Sequence, residues 1–290
     1  MTLRLLTCLL LASSLSVTEL RTGTGTGTGG AQLPPPPDVD PRHRAYDQLL
    51  DINVRDGLVY YRAVQASRAG LARYIASLDM PEAAFARLSR DEQVALLINA
   101  YNAIVLHSVV QHYPIAGRAS AFPAKSIRQV AGVYDRKHRV AGRSVSLDEL
   151  ERWLLDEYKD PRVIFALGRG ALGSGRLKSE AYTASRLEEQ LADATREFVI
   201  RQGHFRIDEG ANTVVVTPLY SWREKDFVAG FADKADDVFD ERSPIERAIL
   251  ALTLDHLFQS EQAYLRQNRF KVEFGTFDWR LNDLTGGRID

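Results

Sequence analysis

The sequence predicts an α+β fold: a single domain, mainly helical, packed around a buried central helix, with a small and mostly antiparallel sheet. Three observations predict it. Ser/Thr-x-x-Glu capping boxes open helices at several places, and the stretch from 94 to 110 is apolar on nearly every face. The strand-like runs are short and scattered between helices, without the regular strand–helix alternation that a doubly wound sheet requires.

The elements follow in chain order. "MTLRLLTCLLLASSLSVTEL" carries Arg4, an apolar run and the small residues Ser14 and Ser16, the pattern of a secretory signal over 1–16 with cleavage before Val17. Residues 17–41 contain "RTGTGTGTGG" and "AQLPPPPDVD", a flexible spacer followed by a stiff polyproline-like one. A single globular domain is expected over 42–290, opening with strand-like "LVYY" at 58–61. Ser89 with Glu92 caps the central helix, Ser146 with Glu149 a second helix, and Ser243 with Glu246 a third that has Pro244 in its first turn. "HRVAGRSVSL" reads as a hairpin turning at Ala141 and Gly142, and "RVIFAL" at 162–167 as a buried strand. An amphipathic helix after Thr183 puts Leu187, Leu191, Ala194 and Phe198 on one stripe, and "FRIDEGANTVVVTP" forms a second hairpin turning through 209–212.

Composition narrows the function classes. The chain has 290 residues, with 37 Lys plus Arg against 38 Asp plus Glu. Setting aside Arg4, Arg21, Glu19, Asp38 and Asp40 leaves the two signs equal, so there is no basic footprint for nucleic acid or an anionic membrane. No transmembrane segment is expected in the mature chain. Cys8, the one cysteine, lies in the leader, so the mature domain has neither a disulfide framework nor a thiol nucleophile. No metal is expected: His107 and His112 are spaced five apart, His138 and His204 stand alone, and no His-x-x-x-His or Cys cluster occurs.

Within the central helix, Asn99, Ala103 and His107 fall on one face with Asn102 beside them, next to Tyr101. Buried amides and imidazoles need partners, so these groups either line a pocket or tie down neighbouring loops. Arg162 should need a carboxylate partner, with Glu151 or Asp226 as the options. Trp222 and Trp279 belong to a residue type used more often as a core anchor than as a ligand platform. Gly168, Gly170 and Gly173 show the spacing G-x-G-x-x-G after "RVIFAL", but a dinucleotide turn needs a helix opening at the last glycine. Here "SGRLKSEAY" intervenes, and no cofactor is expected.

"LLINAYNAIVLH" resembles the signature helix of the domain-of-unknown-function family 547, whose members carry Asn-x-Tyr-Asn followed by a histidine. The resemblance extends through "GLVYYRAV", "SLDELE", "DPRVIFAL", "LYSWREKDF" and "FDWRLN", over roughly 51–282. It implies a loop after "FAL" with two cysteines; on this chain Gly168 and Arg169 stand in place of Asn-Cys, and Ser174 and Gly175 in place of Cys-Pro. Flanking glycines suggest a loop that has lost its constraints, with Arg169 exposed on it.

Two readings of different class follow. The favoured one is an exported, secreted or periplasmic, non-catalytic binding or scaffolding domain. Its binding candidates are Asn99, Tyr101, Asn102, His107, Arg162, Trp222 and Asp226, and its partner is a small molecule or an envelope protein. The alternative is a hydrolase or transferase with Ser174 as nucleophile and His107 as base. Protein isolated from its natural host is expected to begin near Val17 and to lie outside the cytoplasmic membrane; an intact Met1 on a cytosolic protein would remove the export reading.

Overall fold

The Arg90–His112 helix is the axis of the fold, with sixteen of its residues buried. Its Ser89 cap works in both directions: the Ser89 hydroxyl accepts from the Glu92 N–H at 3.3 Å, and the Glu92 carboxylate accepts from the Ser89 N–H at 2.8 Å. By length and composition this helix could cross a membrane, yet 89% of its apolar window is buried inside the protein. Around it pack the Tyr61–Ala66, Arg68–Ser77 and Leu147–Tyr158 helices. The computed structural model describes residues 40 to 286. The leader assigned to 1–16 and the spacer assigned to 17–41 lie outside the described residues, apart from Asp40 and Pro41.

Among the described residues there are twelve α-helices and seven short strands, so the fold is the mainly helical α+β domain that the sequence predicts. The strands form two separate two-stranded ribbons and one three-stranded sheet. The His138–Val140 and Arg143–Val145 strands pair antiparallel, with Ala141 and Gly142 both at positive φ, 52° and 79°, as a two-residue hairpin turn requires. Phe205–Asp208 pairs antiparallel with Thr213–Val216. Lys271–Phe274 then adds in parallel to Thr213–Val216, a pairing the sequence does not announce because its partner lies more than fifty residues away. The stripe Leu187, Leu191, Ala194 and Phe198 is buried on the Leu187–Val199 helix.

Two local expectations are corrected. "LVYY" is a strand only at Leu58–Val59, and a helix begins at Tyr61. "RVIFAL" is not a strand: Val163–Ala166 is one helical turn, fully buried, and the chain becomes extended only at Leu167. A short apolar run buried on all sides has no period to separate strand from helix.

Buried histidines make the domain acid-sensitive. His43 has its Nδ1 2.8 Å from the Tyr74 hydroxyl; His204 has its Nδ1 3.1 Å from the Phe198 carbonyl and its ring stacked on Phe198 at 3.8 Å. Burial pulls both rings from 6.5 down to about 4. Between those values the unfolded chain binds protons that the folded one does not, so stability is fully present above pH 6.5 and is lost as pH falls toward 4. Each histidine contributes at most about 1.4 kcal/mol per pH unit in that window. Thermal unfolding followed by circular dichroism should show Tm falling from pH 6.5 to 4.5, less steeply in His204→Gln; a flat Tm in both proteins would contradict the assignment.

Candidate functional site

The two asparagines of the central helix serve the backbone. Asn99 Nδ2 donates to the Tyr182 carbonyl at 2.8 Å while its Oδ1 accepts from the Tyr182 N–H at 2.9 Å. Asn102 Nδ2 donates to the Ala166 carbonyl at 3.0 Å while its Oδ1 accepts from the Gly168 N–H at 2.8 Å. Each amide thus replaces a missing backbone partner at a point where the chain leaves regular structure. Asn102 holds both sides of the turn that leads from Val163–Ala166 into the loop 167–175.

That loop is neither loose nor exposed. All of its residues are buried except Leu172, which is intermediate. Its Leu172 and Gly173 N–H groups donate to the Arg280 and Asp278 carbonyls, both at 2.9 Å, so the loop runs against the "FDWRLN" segment. The glycines follow from this closeness: a Cβ on Gly173 would sit 2.7 Å from the Asp278 nitrogen, and one on Gly175 would sit 1.8 Å from the Phe165 carbonyl oxygen. The G-x-G-x-x-G spacing therefore records close packing at its last glycine, not a phosphate cradle.

Arg169 is the largest correction. Expected on the surface, it is only 5% exposed, and its Nη2 donates to Glu151 Oε2 at 2.5 Å. The other oxygen of Glu151 accepts from Arg223 Nε at 2.7 Å. One buried carboxylate therefore sits between two guanidinium groups. Burial alone would lower the pKa of Arg169, but Glu151, assisted by Tyr101 and Tyr134, keeps it raised. The Tyr134 hydroxyl also donates to the Arg169 carbonyl at 2.8 Å. One nitrogen is left over: Arg169 Nη1 is buried and has no hydrogen-bond partner among the described residues.

Above this cluster lies a cavity of about 460 Å³. Its deep lining includes Tyr101, Tyr134, Glu151 and Arg169, all buried. Trp222 and Trp279 form an aromatic wall, stacked at 6.2 Å, with Phe277 4.4 Å from Trp279. Trp222 is 48% exposed, so it is not the core anchor that its residue type suggests. Arg128 lies over the rings of Phe122, Tyr134 and Trp279 at 4.8 to 5.5 Å, and Asp148 and Arg152 complete the lining together with Arg223. The Asp148 carboxyl is pushed up, first by burial and then by the nearby Glu151 and Asp135. Burial and a neighbouring carboxylate are the two environments that raise an acid.

The remaining sequence candidates are distributed elsewhere. Of the binding set, Tyr101 and Trp222 line this cavity. Asn99 and Asn102, on the same helix as Tyr101, are committed to the backbone at Tyr182, Ala166 and Gly168. Arg162 does not pair with Glu151 or Asp226; its Nη2 meets Asp160 and Glu188, both at 2.8 Å, in a separate cavity. Asp226 lines a neighbouring pocket with Trp222 and Arg223. The Ser174 hydroxyl donates to the Ala171 carbonyl at 2.6 Å and accepts from the Arg169 N–H at 3.1 Å. His107 is half-buried, makes no hydrogen bond among the described residues, and is lowered in pKa by burial. Its ring lies near His138, whose own pKa it helps to lower. Ser174 and His107 share no hydrogen bond.

Sequence reasoning missed Arg128, Tyr134, Asp148, Arg152, Arg169 and Arg223 as lining residues. One signal for them was present. In the Leu147–Tyr158 helix Glu151 is buried in line with Leu147, Leu150, Leu154 and Tyr158, so a glutamate occupies an apolar stripe and must find cations elsewhere in the chain.

Comparison with known proteins finds that residues 85–199 match the family described as Protein of unknown function, DUF547. The match contains "LLINAYNAIVLH", "SLDELE" and "DPRVIFAL". No curated protein and no solved structure matches. The quoted pieces beyond the matched residues meet in the fold: the Val59 N–H donates to the Asn282 carbonyl at 2.9 Å, and the Tyr61 hydroxyl to Asn282 Oδ1 at 2.7 Å.

Removing the central carboxylate should be costly. Glu151→Leu leaves Arg169 buried without its counterion, and breaking such a pair typically costs about 3–5 kcal/mol. Urea unfolding should register that loss, while Arg152→Ala on the exposed side of the same helix stays within about 0.5 kcal/mol of the parent. A loss below about 1 kcal/mol in Glu151→Leu would contradict the cluster.

Proposed function

Through residues 85–199 the chain is a member of the DUF547 family, whose description carries no activity, and on the geometry of its own site we propose that it is an exported, non-catalytic ligand-binding domain. The ligand seats in the cavity between Tyr101, Arg169 and Trp222. The observation that carries this reading is the combination of a half-exposed tryptophan wall with a buried, incompletely satisfied charge cluster beneath it. Small-molecule sites have this character, with aromatic and apolar lining, a few fixed polar groups and volumes of roughly 300–1,000 Å³. A partly exposed row of aromatic rings gains little from water, and a bound planar or apolar body would cover it.

The state of Ser174 supports binding over hydrolysis. A nucleophilic serine needs a base within hydrogen-bond reach. The Ser174 proton instead goes to the Ala171 carbonyl. Export is proposed from the Arg4-to-Ser16 leader pattern, and an exported domain without cysteines relies on its packing and ion clusters for stability.

Native mass spectrometry of the protein taken from its own host, followed by a thermal-shift screen of small aromatic and polar compounds, tests the reading. A bound compound should raise stability by about 2.7 kcal/mol when present at a hundred times its Kd, and Trp222→Ala should abolish that response. A serine-directed fluorophosphonate should leave the protein unlabelled. Stoichiometric labelling at Ser174, absent from Ser174→Ala, would replace the binding reading with the hydrolase.

A further inference from the structure

The charges of the cavity do not close. Its lining holds four guanidinium groups, Arg128, Arg152, Arg169 and Arg223, against two carboxylates, Asp148 and Glu151. This local excess does not reflect a basic chain, since the whole sequence has a net charge of −1. Glu151 is already divided, with Oε2 on Arg169 and Oε1 on Arg223. Arg128 makes no ion pair among the described residues and stands over the aromatic rings instead. Arg152 donates only to the Asp148 carbonyl, at 3.3 Å.

Arg169 sharpens the imbalance. A guanidinium has five N–H donors in a fixed fork, suited to a carboxylate or phosphate held by two parallel bonds. Tying the loop 167–175 to the Leu147–Tyr158 helix explains Nη2 on Glu151. It leaves Nη1, buried in a side chain that is 6% exposed, without a partner. A buried donor left unpaired is costly, and an incoming oxyanion would satisfy it. The contrast with Arg162 is direct: each of its three guanidinium nitrogens donates to Asp160 or Glu188, so none of them is left without a partner.

Resting on the ligand-binding reading, we propose that the cavity is a site for a small organic anion, with a carboxylate or phosphate group gripped by Arg169 and Arg128 and a flat apolar body stacked on Trp222 and Trp279. Tyr134 links the two cations: Arg128 lies over its ring at 5.5 Å, its hydroxyl donates to the Arg169 carbonyl at 2.8 Å, and all three residues line the cavity. The tryptophans adjoin this group, with Trp279 under Arg128 at 5.2 Å and Trp222 stacked beside Trp279. An anion that enters exchanges water for charge-assisted hydrogen bonds in a partly desolvated place, where such bonds are strongest.

Titration of the full chain with benzoate, phenyl phosphate and the uncharged isostere benzamide, read by tryptophan fluorescence and calorimetry, tests this. Saturable binding of benzoate or phenyl phosphate is expected, with benzamide at least about tenfold weaker and affinity falling as NaCl is raised. The ratio of benzoate to phenyl phosphate separates a carboxylate ligand from a phosphorylated one. Arg128→Gln removes a cation that supports no ion pair, so it should fold normally and weaken the preferred anion about tenfold. Arg169→Gln should do the same wherever circular dichroism shows it folded. Benzamide binding as tightly as the anions, or Arg128→Gln without effect on anion affinity, would overturn the anion site while leaving a ligand-binding cavity in place. No saturable response to any of the three probes would overturn the anion site, and a thermal-shift screen that is equally silent would remove the ligand-binding reading as well.

Discussion

One carboxylate between two guanidinium groups organises this molecule. Glu151 sits on the buried face of the Leu147–Tyr158 helix, and through its two oxygens it reaches Arg169 in the loop 167–175 and Arg223 just after the Leu219–Trp222 helix. Arg169 is 18 residues from Glu151 in sequence and Arg223 is 72. A buried charge is tolerated only when it is paired and hydrogen-bonded, so the position of each segment is conditional on the other two. The cavity inherits its shape from that arrangement, because Tyr101, Tyr134 and Trp222 all surround the same cluster.

The central helix supplies the second constraint. Asn99 and Asn102 close backbone hydrogen bonds at Tyr182 and on both sides of the turn at 166–168, which removes the freedom the loop would otherwise have. Gly173 and Gly175 then let the loop lie directly against the Asp278 and Phe165 backbones. Trp279 is fixed in consequence, since the carbonyls of its neighbours Asp278 and Arg280 accept from the loop. The two positions where the family resemblance expects cysteines are adjacent, joined by the Arg169 N–H to Ser174 Oγ bond. In this chain that place holds a guanidinium paired with Glu151 and a hydroxyl tethered to the Ala171 carbonyl, in place of a thiol pair.

What was legible in the sequence was local. Ser89 with Glu92 and Ser146 with Glu149 announced their helices because a cap is written within four residues, and Ala141-Gly142 announced its hairpin for the same reason. Burial of the central helix followed from its all-round apolar character. Pairings across the chain were not legible. Arg162 needed an acid and Arg169 was expected at the surface, and composition could not say that Asp160 and Glu188 serve the first while Glu151 serves the second. Glycines around Arg169 looked like slack, whereas they mark close approach. The half-exposed state of Trp222 was hidden for a related reason: only the packed fold shows which face of an aromatic is left uncovered.

A crystal structure from bromide-soaked crystals, with bromide located by its anomalous signal, tests the central claim most directly. The account predicts Arg169 buried against Glu151, and a bromide ion in hydrogen-bonding contact with Arg169 Nη1 inside the Trp222–Trp279 cavity. Bromide confined to surface arginines and lysines, with the cavity empty or Arg169 turned to solvent away from Glu151, would contradict it.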